Sequence, residues 1–228
     1  MASAASFITA IAPSSRDPSL VRVAMNDVEI GVLLRATVDA LGLRVGLRVS
    51  SSMVTKISAA RDLTAARAAA LKLLARSDRS RATLLSQLIE RGHSEHSAEA
   101  AVARLVEDGW VDDARYASER ARRIVERRPV AHASVEASLA QEGIPLRVAS
   151  SAADAHAPIE GDAARAVALA RQTLRSTSGT KGTLDEKSIR RAAGSLARAG
   201  FDADTIAAAL VKVGGRAAAR IAAQLVER

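Results

Sequence analysis

Apolar positions along the chain change their period, and each period names an element. Val21, Val23 and Met25 alternate with polar or small residues, and Val28, Ile30 and Val32 do the same beyond Asn26-Asp27. A period of two on either side of an Asn-Asp pair predicts a β-hairpin. A short amphipathic run from Leu33 to Leu41 stops at Gly42, after which Val45, Leu47 and Val49 resume the alternation. These features place a small β-containing module over residues 18–60. Residues 1–17 read as a loose tail, mildly apolar but without the basic start of a signal peptide. From Asp62 the period becomes helical. Leu63, Ala66, Ala70, Leu71, Leu73 and Leu74 fill one broad face, with Asp62 as the expected cap. Ser80 opens a second helix whose stripe is Leu84, Leu85, Leu88 and Ile89, and Gly92 stops it. A third starts at Ser94 or Ser97, carries Ala98, Val102, Leu105 and Val106, and stops at Gly109. No proline interrupts the stretch between Pro18 and Pro129.

This three-helix unit recurs. With Gly92, Gly143 and Gly200 aligned, a leucine stands four residues before each (Leu88, Leu139, Leu196). Ala98, Ala149 and Ile206 stand six after, and Val102, Ala153 and Leu210 ten after. Alanine matches are cheap in an alanine-rich chain, so the leucine and glycine coincidences carry the weight. A period of about 50 residues is that of helical arrays. The fold expected is mainly all-α: tandem three-helix repeats over 61–111, 112–161 and 162–228 forming an elongated array, with the small β-containing N-terminal module. The third repeat carries an insertion, Ser176 to Leu184, which reads as an exposed loop.

Composition narrows the function. Aromatic residues make up 2% of the chain, which argues against a large β core and against base stacking on aromatic platforms. With no cysteine, disulfides, thiolate metal sites and cysteine nucleophiles are excluded. No apolar run reaches membrane-spanning length. The chain is expected to be cytoplasmic and monomeric, with no membrane partner. A net charge of +8 points to a polyanionic partner, nucleic acid or nucleoprotein. Enzyme signals are poor. His93, His96, His132 and His156 are scattered without a metal-ligand set, and Gly179-Thr180-Lys181-Gly182 lacks the spacing of a phosphate-binding loop. No catalytic residue, cofactor or metal is assigned.

Two stretches resemble the RecX family. Ala70 to Gly92 reads ALKLLARSDRSRATLLSQLIERG, with Leu73-Leu74-Ala75-Arg76 followed by Arg79-Ser80. Gly109 to Ala117 reads GWVDDARYA, similar to the family's Gly-apolar-apolar-Asp-Asp-x-Arg-aromatic-Ala signature through Asp112, Asp113, Arg115, Tyr116 and Ala117. Trp110 stands where Leu or Tyr is more usual. The resemblance is specific from Ala70 to about Arg128 and architectural in the third repeat. Where many members carry a basic cluster after the proline of the second repeat, this chain has Val130-Ala131-His132-Ala133. The resemblance implies a non-enzymatic regulator that lies in the groove of the RecA–DNA filament, inhibits ATP hydrolysis and strand exchange or promotes disassembly, and so modulates DNA repair and recombination and the SOS response. The residues alone also admit a helical module that binds single- or double-stranded DNA without sequence preference, acting apart from the recombinase.

The candidate site residues are basic. Arg120, Arg123 and Arg127 share one helical face and Arg128 follows; Arg122 lies off that face, beside Glu119 and Glu126. These arginines read either as a patch for an acidic recombinase surface or DNA backbone, or as a solvated face with local ion pairs. In the last repeat Lys181, Lys187, Arg190 and Arg191 are candidates for phosphate contact; residues 165–228 hold twelve Lys or Arg against five Asp or Glu. Gly109, Trp110, Asp112, Asp113, Arg115 and Tyr116 read mainly as structural: Gly109 as a helix stop, Asp112 as a cap, Asp113 at the positive helix end, and Trp110 and Tyr116 as filling of the seam between repeats.

Overall fold

The computed structural model describes residues 6–15, 17–177 and 185–226. It divides into two compact units, residues 1–111 and 112–228. In the first, β1 (Ser6–Pro13), β2 (Leu20–Met25), β3 (Val28–Leu34) and β4 (Arg48–Val49) form an antiparallel sheet in the order β3-β2-β1-β4. Asn26 and Asp27 both adopt positive φ, 48° and 62°, the backbone of a tight hairpin turn whose twist suits the flanking strands. The short helix α1 (Arg35–Ala40) ends at Gly42, where φ is +61°.

Residues 6–13 correct the reading of a loose tail. They are an inner strand, paired with β2 on one side and β4 on the other, and Ile8 is buried. The segment has little alternation to betray it, since a register irregularity between Ile8 and Ala10 breaks the period of two.

The first long helix also starts earlier than its period suggests. α2 runs Ser51–Leu74, and the Ser50 side chain caps it by accepting from the Met53 N–H at 3.3 Å. Asp62 is therefore interior to the helix and caps nothing. The early turns of α2 serve a different core from the later ones, which is why one period does not describe it. Ile57 packs with Ile8, Val21, Val23 and Leu33 of the sheet, whereas Ala70 and Leu73 pack with Leu84, Leu88, Ala98, Val102, Leu105 and Val111. The second group comes from α3 (Arg81–Glu90) and α4 (Glu95–Glu107), capped by Ser80 and Ser94. Arg79 sits where α2 must stop. Its guanidinium donates to the Leu73 carbonyl and, at 2.7 Å, to that of Ser77, closing carbonyls the helix end leaves open. Arg79-Ser80 is thus a paired stop and start.

The second unit holds α5 (Asp113–Arg127), α6 (His132–Gln141), α7 (Leu146–His156), a 3₁₀ turn (Ile159–Gly161), α8 (Asp162–Thr177), α9 (Glu186–Arg198) and α10 (Ala203–Val226), the last broken at Gly215. One core runs through both of its helix triplets, from Ala117 and Ala121 through Val135, Leu139 and Ala153 to Ala170, Leu196 and Leu210. The aligned positions of the three repeats behave alike. Leu88, Leu139 and Leu196 are all fully buried, and their carbonyls accept from the N–H of His93, Ile144 and Phe201 at 3.2, 3.2 and 3.3 Å. That bond closes the helix end only if the residue before the donor takes a left-handed backbone. Gly92, Gly143 and Gly200 do so, at φ of +87°, +76° and +85°. Gly200 has a further reason to be glycine: a Cβ there would lie 2.7 Å from Cβ of Ser134 on α6, and the same addition at Gly92 meets nothing.

Candidate functional site

α5 carries the densest run of arginine, and its amphipathic pattern decides which of them are available. Asp112 caps it, with Oδ1 accepting from the N–H groups of Ala114 and Arg115 at 2.9 and 3.0 Å, and acidic Asp113 occupies the first turn. Ahead of the cap, Gly109 takes φ of +75° and the Trp110 N–H closes α4 on the Leu105 carbonyl at 2.9 Å. Val111 is buried. Trp110 departs from the seam-filling role expected of it: its side chain is 57% exposed. Tyr116 is half-buried against the core of its own unit.

Ala117 and Ala121 face the core, with Ile124 and Val125 partly covered beside them. Arg120 lies on the margin of this face and is spent internally. Its Nε donates to Glu142 Oε1 at 2.7 Å, and the Tyr116 hydroxyl donates to Glu142 Oε2 at 2.6 Å, so three side chains tie α5 to the end of α6. Arg120 therefore leaves the patch in which its spacing placed it. A helix-face argument counts only residues on the same helix, and Glu142 lies outside it. Arg122 is held between Glu119 at 2.8 Å and Glu126 at 2.7 Å, and its hydrogen bond and charge hold the Glu119 carboxyl below the usual range. Arg115, Arg123, Arg127 and Arg128 are exposed and form no ion pair among the described residues.

Tyr116 offers a direct reading of this corner. Burial, then the hydrogen bond to Glu142, then that carboxylate's charge push its hydroxyl up to about 12 from an ordinary 10.0. Because it is the chain's one tyrosine, phenolate absorbance against pH reports it alone. The expected midpoint is near 12, and Glu142→Gln should bring it down. A native-state pKa raised above the unfolded value favours the fold below pH 10, and that contribution is lost as pH rises from about 10 through 12. A midpoint at 10 in the folded protein would contradict the contact.

The second basic surface is on α9. Asp185 caps this helix by accepting from the Ser188 N–H at 2.9 Å, and Ile189, Ala192, Ala193 and Leu196 face the core. Lys187 and Arg191 are exposed on the opposite side and, with Arg198, repeat at helical spacing without an ion pair among the described residues. Arg190 is exposed but paired with Glu186 at 2.7 Å. Lys181 and most of the insertion around it lie outside the described residues.

Sequence spacing missed three further arginines. Arg171 and Arg175 are exposed on α8, without an ion pair among the described residues. Their one signal was their spacing of four, which an alanine-rich helix with no acidic partner makes easy to overlook. Arg165 is turned inward at the joint between the two triplets of the unit. It donates to the carbonyls of Val130 at 3.0 Å, Ala157 at 3.0 Å and Pro158 at 2.8 Å, and to Asp162. Asp162 in turn accepts from the His132 N–H at 3.0 Å, and the His132 ring donates to the Ala157 carbonyl at 3.1 Å. His156 shares a 2.8 Å hydrogen bond with Ser118. These two histidines are packing residues, and among the described residues no group of His, Asp and Glu could hold a metal.

Comparison with known proteins fits this architecture. The family model described as RecX, first three-helix domain, matches residues 66–105, which covers the later part of α2, α3 and most of α4. The regulatory protein RecX of Stenotrophomonas maltophilia (strain R551-3) is 39% identical over 139 residues, 60% of this chain and 80% of that one. The chain belongs to the RecX family. The regulatory protein RecX of Thermobifida fusca is 35% identical over 60% of this chain and 72% of its own length. Among solved structures, a regulatory protein RecX superposes with a TM-score of 0.70 over 88% of this chain and 96% of its own, at 18% identity. RecX from Lactobacillus salivarius gives 0.54 over 67% and 96%. Those two establish the fold, and the curated relatives are named as regulatory proteins. No helix among the described residues is long and apolar enough to cross a membrane. In RecX terms, the Gly-apolar-apolar-Asp-Asp signature here is a helix stop joined to a helix cap between α4 and α5, and Arg79-Ser80 joins a stop to a cap between α2 and α3, with an arginine side chain in place of the glycine.

Proposed function

We propose that this chain binds the RecA recombinase–DNA filament and restrains it, lowering ATP turnover and strand exchange, and that it acts as a monomer in the cytoplasm during DNA repair, recombination and the SOS response. The observation that carries the reading is the division of labour among its cations. Arg120, Arg122, Arg165 and Arg190 are neutralised at home, while Arg123, Arg127, Arg128, Lys187 and Arg191 face solvent with no ion pair among the described residues. Unpaired arginines on helix faces that rest on a rigid core suit the oxygen atoms of carboxylates and phosphates. Binding to a filament changes ATP turnover through the filament's conformation, so the chain itself needs no catalytic group.

Co-sedimentation tests the binding. The chain should pellet saturably with recombinase filaments at a salt concentration where it does not pellet with bare DNA. Equal pelleting with bare DNA would favour the DNA-module reading, and failure to pellet with filaments would end the proposal.

A further inference from the structure

One design of helix stop recurs along the chain, and at one place it leaves an indole in water. After Gly42, Gly143, Gly200 and Gly109, each with positive φ, the next N–H donates to a carbonyl five residues back: Leu43 to Val38, Ile144 to Leu139, Phe201 to Leu196 and Trp110 to Leu105, at 2.9–3.3 Å. The apolar side chain of that residue commonly folds back over the helix end, and Leu43, Ile144 and Phe201 are all buried. Trp110 is the exception, at 57% exposed. We propose that its indole is an anchor for docking on protein: it enters an apolar pocket with a basic rim on a protomer of the recombinase filament. The inference rests on the filament reading and adds a contact in the first unit to the arginine faces of the second.

The fold does not account for the side chain. Gly109 supplies the left-handed backbone, the Trp110 N–H closes α4, Val111 is buried and Asp112 caps α5, so every structural task of the segment falls to another group. Tryptophan is well buried on average in folded proteins, and this chain has a single one among its four aromatic residues. What the fold does supply is position. The backbone on either side of the indole is pinned, by the Leu105 bond before it and by buried Val111 after it, so little freedom remains to be lost on docking. Val106, in the last turn of α4, is exposed too and adds apolar surface. The surrounding charge selects the partner. An exposed indole can stack on a nucleic-acid base, but that mode needs cations beside it for the phosphates. Between residues 104 and 113 stands Arg104 against Glu107, Asp108, Asp112 and Asp113, and the next arginine along the chain, Arg115, lies on α5. Arg104 pairs with Glu107 at 3.0 Å and with Asp108 at 3.4 Å, and Arg67 pairs with Asp108 at 3.3 Å. These arginines are committed and carboxylates are in excess, which repels phosphate and suits a basic rim. Tryptophan anchors seated in well-packed pockets and ringed by water-excluding contacts dominate the energetics of protein interfaces.

The chain's single tryptophan makes the test direct. Emission of the full chain is followed as recombinase filaments are added, and the same titration with Trp110→Phe is subtracted to remove the filament's own signal. The free chain should show the long-wavelength emission of a hydrated indole, open to quenching by acrylamide. With filaments the emission should move to the blue and quenching should fall, and bare DNA should cause neither change. Trp110→Ala should need at least ~10-fold more chain for half-maximal co-sedimentation, with the unfolding midpoint of wild type; a tryptophan that served the fold would lower that midpoint. A shielded indole in the free chain, an unshifted indole on co-sedimenting filaments, an equal response to bare DNA, or undiminished binding by Trp110→Ala would each overturn the anchor. The emission measurement uses the wild-type fold, so it decides the matter even if the alanine variant unfolds. Wild-type chain that fails to pellet with filaments would sink the filament reading along with the anchor, whereas pelleting with an unshifted indole sinks the anchor alone.

Discussion

Arg165→Ala is expected to lower the stability of residues 112–228 by about 3 kcal/mol, seen as a fall in denaturant midpoint with little change in slope. The guanidinium is 18% exposed and meets three carbonyls and Asp162. Taking it away leaves the Val130 carbonyl without a donor among the described residues, at a cost of about 1–3 kcal/mol, strips the Ala157 and Pro158 carbonyls of a second donor, and leaves Asp162 without its counter-charge at a joint it also ties to His132. Water entering the gap offsets part of this, which keeps the expected loss near the lower end of the sum. Arg165→Lys should recover little, because a single ammonium cannot reach carbonyls on both sides of the joint as the planar fork does. Gly161 belongs to the same arrangement: a Cβ there would lie 2.6 Å from the Arg165 guanidinium. If Arg165→Ala unfolds at the wild-type midpoint, the joint is not held in this way.

Arg123→Glu combined with Arg127→Glu should raise the dose needed to inhibit the recombinase by at least ~10-fold while leaving the unfolding midpoint within ~0.5 kcal/mol of wild type. Both residues are exposed and neither forms an ion pair among the described residues, so reversal breaks no bond seen in the fold. On the partner's side each reversal turns an attraction into a repulsion, and a loss of 1.4 kcal/mol already amounts to tenfold. Arg123→Glu alone should retain a clear part of the effect, since one attraction still becomes a repulsion. Arg122→Glu should act differently. It would place a carboxylate beside Glu119 and Glu126 and weaken α5 itself. Unchanged inhibition by the double reversal would move the contact off α5.

Much of this architecture is legible in the residues because the repeat is built from local devices. Ser80 and Ser94 cap helices, Gly92, Gly143 and Gly200 stop them, and Leu88, Leu139 and Leu196 fill the same place behind each stop. Each device lies within a few residues of sequence, where spacing is a faithful guide. What spacing hides is set by partners far along the chain. Ser6–Pro13 is a strand because β2 and β4 flank it, and α2 begins at Ser51 because its early turns cover a sheet that the later ones never touch. Among the basic residues the same distinction holds. Arg122 and Arg190 have acidic neighbours one helical turn away, whereas Arg120 is taken by Glu142, 22 residues on, and Arg165 by the Val130 carbonyl, 35 residues back. Trp110 shows the reverse error: a large apolar residue in a motif reads as core, yet the helix stop that presents it leaves it facing outward.

The claim that outward arginines on a helical-repeat scaffold serve to restrain a recombinase filament is tested most directly by ATP turnover. Purified wild-type chain is titrated into recombinase assembled on DNA, at amounts comparable to the recombinase and at near-physiological salt. Turnover should fall progressively with added chain and strand exchange should fall with it. Turnover and exchange that stay level through a full equivalent, with the chain shown to be folded, would contradict the account.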